Sequence, residues 1–325
     1  MKTNESNKKS LVLIGLPHSG KSTFIGALWH VVESGELDGS LTITSLPKDR
    51  EYLNYLRMSW FRCESPERNK VEVAKEILLD VTYGEDNEPT ALYFPDVSGE
   101  MYKLQFENRQ LTSEYVESLE YAKGMILFIN PDYLKKPDLI SDANKLISDE
   151  GAINENSVVE IDGKSSSEEN EEIASGDEVK GNESDDKNID QKSEDASKQW
   201  KHEDAPTQVI ITDLLQMISM HLKHPIKIAL VISAWDVIMD SHDDKYRKLK
   251  PREWISKELP LLAQYLVSND DSFISEVYGI SAQGSDYDAD LSKLFDMDKQ
   301  SDRIRVQVGE AMSNDICKPI VWLLK

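Results

Sequence analysis

Residues Gly15 to Ser22 read G-L-P-H-S-G-K-S, between the apolar run Leu11-Val12-Leu13-Ile14 and the segment Thr23-Phe24-Ile25-Gly26-Ala27-Leu28-Trp29. A glycine-rich loop that ends in Gly-Lys-Ser, entered from a short buried strand and left through a helix, is the arrangement that cradles phosphate. Gly15 and Gly20 let the backbone curl so that successive N–H groups converge on an anion. The helix starting near Lys21 adds the positive end of its dipole there. Lys21 is expected to reach the β- and γ-phosphates, and the Ser22 hydroxyl to ligate Mg²⁺. His18 and Ser19 occupy the variable loop positions beside the phosphates, and Thr23 follows in the first helical turn. Phe24, Ala27, Leu28 and Val31 share one side of the downstream segment, which fits a helix covering a core.

Composition narrows the class. The 325 residues allow one large domain or two small ones. A formal charge of −23 argues against a nucleic-acid surface, which needs a basic stripe. The two cysteines, Cys63 and Cys317, lack metal-ligand spacing, and a reducing cytoplasm suits them. The opening Met1-Lys2-Thr3-Asn4-Glu5-Ser6-Asn7 has no signal-peptide core, and no apolar run reaches the ~20 residues that span a bilayer. A cytoplasmic protein is expected. The six histidines form no paired ligand set, so no transition-metal site is expected.

Charge is concentrated in one place. Residues 149–204 hold 19 acidic residues against six lysines, with no aromatic before Trp200. Such a stretch buries too little apolar surface to offset the entropy of ordering it, and disorder is expected. A flexible chain of that length spans about 40 Å on average, so it can loop out of a fold. The expected organisation is therefore residues 1–148, an acidic insertion at 149–205, and residues 206–325 completing the same domain. It serves as a tolerated surface insertion, or alternatively as an acidic interaction or phosphorylation segment.

Outside the insertion, strands are expected at 11–14, 41–45, 71–82, 90–95, 124–129, 226–232 and 273–280. Helices are expected at 21–34, 48–60, 104–121, 208–222, 251–267 and 301–313. This alternation argues for a mostly parallel sheet covered on both faces. Only residues 83–89 separate the strands at 71–82 and 90–95. That is too short for a parallel crossover, so they form one antiparallel edge hairpin.

Three further motifs follow in order. Asp96-Val97-Ser98-Gly99-Glu100 follows the strand Ala91-Leu92-Tyr93-Phe94-Pro95; Asp96 there can hold Mg²⁺ through a water, and the Gly99 N–H can sense a γ-phosphate. Ser233-Ala234-Trp235-Asp236 follows Ile228-Ala229-Leu230-Val231-Ile232. An Asp at that point can accept hydrogen bonds from guanine N1 and N2, a donor pair that adenine lacks, and Trp235 is expected to stack on the base. Ile280-Ser281-Ala282-Gln283 ends another strand and presents the Ala282 N–H to guanine O6. Read without the series, Asp96–Gly99 is a strand-end turn and Asp236 a helix cap.

These four segments resemble the translation-factor-related class of P-loop GTPases. The stretches G-L-P-H-S-G-K-S-T-F-I-G-A-L-W-H, D-V-S-G-E and S-A-W-D look like the bacterial double-GTPase families. The resemblance implies a Ras-like α/β fold, GTP or GDP with Mg²⁺, a switch role, and a second GTPase or effector as protein partner in a bacterial conflict (defence) system.

The pattern departs in three places. The Asn-Lys that normally precedes the guanine-reading Asp is absent, with Ser233 able to replace part of the Asn role. A metal-ligating Thr is expected before the strand at 71–82, yet no Thr occurs between Ser45 and Val81; Asn69 stands there, preceded by Arg68, which is read as an arginine finger in cis or as a solvated loop charge. Glu100 stands where a Gln usually orients the attacking water; it can act as general base, and slow hydrolysis is expected. A non-hydrolysing scaffold, an ATPase and a small-molecule kinase are the rival readings. The kinase would need a basic acceptor pocket, for which Lys245, Arg247, Lys248, Lys250 and Arg252 are the candidates.

Overall fold

The computed structural model describes residues 8–37, 41–47, 50–66, 75–83, 90–96, 99–137, 204–284 and 297–325. The chain divides into two units, Met1–Lys136 with Ala205–Lys325, and Pro137–Asp204; of the second, only Pro137 and Asp204 are described. The expected acidic insertion thus lies outside the described residues except for Asp204 and Ala205, and so do Arg68 and Asn69. Within the first unit, the Thr207 N–H donates to the Lys135 carbonyl at 2.9 Å, and the Lys135 N–H to Thr207 Oγ1 at 2.8 Å. The chain leaves and re-enters that unit at one point.

In chain order the strands are β1 (Lys8–Ile14), β2 (Leu41–Ser45), β3 (Lys75–Tyr83), β4 (Thr90–Asp96), β5 (Ala122–Ile129), β6 (Ile226–Ser233), β7 (Phe273–Ser281), β8 (Arg305–Val308) and β9 (Ala311–Ser313). They form one sheet in the order β2-β3-β4-β1-β5-β6-β7-β8-β9. The central strands β4, β1, β5, β6 and β7 run parallel. β3 pairs antiparallel with β4, as the short connection requires, and β2 antiparallel with β3.

The helices are α1 (Lys21–Ser34), α2 (Arg50–Phe61), α3 (Gly99–Asn108), α4 (Ser113–Glu120), α5 (Thr207–Ser219), α6 (Asp236–Met239), α7 (Asp244–Arg247), α8 (Pro251–Glu258), α9 (Pro260–Ser268) and α10 (Lys318–Leu324). They cover both faces. In β1, Leu11 and Leu13 join the core under α1, α2 and α10, while Val12 and Ile14 join the core under α3, α4, α5, α8 and α9. In β6, Ala229 and Val231 face the first core, and Ile228, Leu230 and Ile232 the second. A strand buried on both faces needs a continuous apolar run, which these strands have. The α2 residues Tyr52, Leu53, Leu56, Ser59 and Trp60 are buried, a helical spacing that turns one stripe inward.

Three helix expectations change. The span 104–121 is two helices, because Arg109 takes φ 51° and Thr112 starts a new helix by accepting from the Tyr115 N–H at 3.3 Å. The span 251–267 breaks at Leu259, the interruption that Pro260 in the sequence leads one to expect, since it cannot donate to the preceding turn. The span 301–313 is a 3₁₀ turn (Gln300–Arg303) followed by the β8–β9 hairpin. Arg305-Val306-Gln307-Val308 alternate polar and β-branched residues, and Val306 is buried, so the period is two rather than 3.6. Gly309 supplies the positive φ of the turn, 55°. Beyond the one hairpin expected, the sheet therefore carries a second antiparallel edge, where β8 pairs with the end of β7.

Trp60 joins several parts. It is buried, its Nε1 donates to the Ala282 carbonyl at 2.7 Å, and the Arg303 guanidinium lies 3.7 Å from its ring centroid. Trp60→Ala is expected to lower the unfolding free energy by about 3–5 kcal/mol. Urea denaturation of the purified chain measures this, and a loss below about 1 kcal/mol would contradict the packing described.

Candidate functional site

The loop between β1 and α1 is closed by the Ser19 N–H donating to the Leu16 carbonyl at 3.2 Å. Gly20 takes φ 88°, and a Cβ there would lie 2.7 Å from the Ser233 Cβ, so both the dihedral and the space require glycine. His18 also takes a positive φ, 62°. Its ring stacks on Tyr133, with centroids 4.6 Å and planes 7° apart, and its carbonyl accepts from Asn130 Nδ2 at 2.9 Å. His18 is thus braced against the segment that follows β5.

Lys21 is only 8% exposed. Its Nζ donates to the Gly15 carbonyl at 2.5 Å, to the Leu16 carbonyl at 3.3 Å and to Ser19 Oγ at 3.2 Å. A buried ammonium needs such acceptors. A phosphate entering the loop offers charged acceptors, which bind it more strongly. The Lys21 Nζ also lies 5.9 Å from the ring centroid of Tyr102, the α3 residue whose Oη donates to the Leu13 carbonyl at 2.6 Å. The Tyr115 hydroxyl meets it at 3.2 Å, and burial pushes the Tyr115 phenol well above its ordinary range.

Gly99 opens α3 against the loop: a Cβ there would lie 2.4 Å from the Pro17 nitrogen and 2.6 Å from the Leu16 carbonyl carbon. Glu100 is the next residue, in the first turn of α3. Asp96 ends β4, the parallel neighbour of β1, so its backbone reaches the end of the sheet from which the loop springs. Ser22 is in the first turn of α1. A hydroxyl and a carboxylate are hard oxygen donors, the type Mg²⁺ takes.

The Ser233 hydroxyl lies 2.9 Å from the Ser19 carbonyl and 3.2 Å from the Ile129 carbonyl, so it ties the end of β6 to the loop and to β5. Ala234 takes φ 48°. Asp236 opens α6, is 8% exposed, and lines a cavity of about 190 Å³. Gly20 and Thr23 border the cavity on the loop side, Phe24 and Phe128 are apolar wall, and Ser281 and Ala282 come from the end of β7. Ser281 Oγ accepts from the Gly284 N–H at 3.0 Å and so closes that turn.

Trp235 corrects one expectation. It is fully buried, its Nε1 donates to Gln307 Oε1 at 2.7 Å, and its ring lies against Gly279 so closely that a Cβ there would be 2.4 Å from Trp235 Cδ2. It is core, and it does not line the cavity. The basic residues offered for an acceptor pocket do not line it either. Arg247 pairs with Asp244, Lys250 with Glu310, and Arg252 donates to the Ser275 carbonyl at 2.7 Å.

The cavity also includes Asn130, Asp132 and Tyr133, which lie outside the sequence motifs, and Gln283, which closes the last motif but was given no role there. A signal existed for Asn130 and Asp132: Asn130-Pro131-Asp132 places polar residues straight after the buried strand β5, and the carboxyl ends of parallel strands are where ligands bind. No helix among the described residues is long and apolar enough to cross a membrane.

A family model described as Double-GTPase 1 matches residues 12–323, nearly the whole chain. No curated protein matches. Among solved structures, the chain is similar to Methanosarcina barkeri Roco2 RocCORdC bound to GDP, with 8% identity and a TM-score of 0.28, over 85% of this chain and 44% of that one. It thus spans less than half the length of that structure.

Gly99→Ala inserts a methyl group into the backbone of Leu16 and Pro17. Nucleotide affinity is expected to fall tenfold or more while far-UV circular dichroism is retained; calorimetric titration measures it, and unchanged affinity would contradict the contact.

Proposed function

Because the chain belongs to the Double-GTPase 1 family, we propose that it binds GTP and GDP with Mg²⁺, hydrolyses GTP slowly, and acts as a switch on another protein. The observation that carries this reading is the single cavity shared by Asp236, Ala282 and the loop residue Gly20. Base-reading groups and the phosphate loop then belong to one ligand site.

In this reading the Asp236 carboxylate accepts from guanine N1–H and N2–H, and the Ala282 N–H donates to O6. A site built on such pairs rejects adenine because its buried polar groups would be left unmet. Lys21 and the N–H groups of residues 15–22 hold the phosphates. Ser22 and Asp96 are the residues that would hold Mg²⁺, which when bound neutralises charge on the β- and γ-phosphates.

Glu100 accepts the proton of the attacking water. A carboxylate accepts but does not donate when ionised, so it orients water toward the γ-phosphate less well than a carboxamide, and turnover is slow. Arg68 is assigned the role of a finger that offsets transition-state charge, and Asn69 that of the nearby polar ligand. The protein partner is a second GTPase or an effector, and a bacterial conflict system is the setting that the sequence resemblance favours. The missing Thr and the Glu at position 100 favour a second reading, a scaffold that binds guanine nucleotide without turning it over.

Two substitutions test the assignments. Asp236→Asn replaces one acceptor with a donor, which matches xanthine, where an oxygen stands in place of the guanine amine. Preference is expected to switch from GDP to the xanthosine diphosphate; retained GDP preference would remove Asp236 from the site. Glu100→Ala is expected to cut phosphate release tenfold or more with GDP affinity nearly unchanged. No change in release would reject Glu100 as the base, and no release from the unaltered chain would favour the scaffold.

A further inference from the structure

Guanine presents donors at N1 and N2 and acceptors at O6 and N7. Asp236 suits the donors. The acceptors need donors from the protein, and some of those on the cavity wall are committed. The Ser233 hydroxyl is engaged with the Ser19 and Ile129 carbonyls, and Asn130 Nδ2 with the His18 carbonyl. Ala234 stands where a longer polar side chain is usual, and its methyl group has nothing to donate. Asp132 is an acceptor.

Gln283 is different. It lines the same cavity, is 7% exposed, and among the described residues neither its Oε1 nor its Nε2 has a hydrogen-bond partner. Each unmet buried polar group is destabilising, and a native fold that keeps two in one side chain has a reason for them. The backbone here is fixed on both sides: the Ala282 carbonyl is held by Trp60, and the Gly284 N–H by Ser281. The outer side-chain torsions of Gln283 remain to adjust. It directly follows Ala282, the residue assigned to O6, and N7 neighbours O6 on the base.

We propose that Gln283 reads the base, its Nε2 donating to the O6/N7 edge of the guanine whose N1 and N2 are held by Asp236. This rests on the guanine-site reading above. It has a signature of its own, because a carboxamide pairs with adenine at both N6 and N7 but donates to guanine only. Gln283 therefore adds affinity, while Asp236 supplies the selectivity.

The test is calorimetric titration of the 325-residue chain with Mg²⁺ and GDP, 7-deaza-GDP or ADP. The unaltered protein is expected to bind GDP roughly five- to tenfold tighter than 7-deaza-GDP, the effect of one hydrogen bond. Gln283→Leu is expected to bring that ratio to about one by weakening GDP, without lowering the GDP-over-ADP preference. Gln283→Glu, which keeps the volume but sets an acceptor against N7, is expected to bring the ratio to one or below and guards against a misfolded Leu variant. Either variant keeping the original GDP to 7-deaza-GDP ratio would overturn the role of Gln283 while leaving guanine selectivity intact. Equal affinity of the unaltered chain for GDP and ADP would instead overturn the guanine-site reading, and the Gln283 assignment with it.

Discussion

The rest of the site depends on the close approach of three backbone segments at the carboxyl end of the sheet. The loop meets Ser233 at Gly20 and meets Gly99 at Leu16 and Pro17, and neither contact has room for a methyl group. Packed surfaces of this kind resist compression and shift as units. A phosphate that moves the loop backbone must therefore be felt at the start of α3 and at the end of β6. The Lys21 ammonium, held by three oxygens of the loop and lying near Tyr102 of α3, belongs to the same contact.

The sheet explains why those segments meet there. Strands β4, β1, β5, β6 and β7 run in one direction, so the D-x-x-G segment, the phosphate loop, the Asn130 turn, the Asp236 turn and the Ser281 turn all emerge at one end. Helices on both faces bury the strands, so the loops at their ends are the places left to carry chemistry. Additions to the plan sit at the margins. β2 and α2 extend the sheet and its cover on one side, and the β8–β9 hairpin extends the other.

Much of this was legible in the sequence because it is local. Leu11 to Ile14 and Ile228 to Ile232 are apolar runs of strand length, and the glycine spacing of the loop is a direct statement about backbone shape. What was missed is nonlocal or short. Trp235 beside Asp236 reads as a platform for a base; only the pairing of β6 with β7, which sets Gly279 beneath the indole, shows it to be core. Residues 305–308 are too few for their period of two to stand out beside the helix-like residues before them. The break at Arg109 was signalled by Thr112 as a cap, yet the apolar spacing on either side runs through it. Gln283 ends the last motif, yet what singles it out is burial with unmet polar atoms, which no sequence pattern reports.

The proposed guanine-selective site joins residues 15–22, Asp236 and Ala282. Its sharpest test is titration of the unaltered 325-residue chain with GTP, GDP and ATP in the presence of Mg²⁺. Saturable one-to-one binding of GTP and GDP is expected, with ATP weaker by about a hundredfold or more. ATP binding as tightly as GTP would contradict it, because the carboxylate of Asp236 would then not be reading the base.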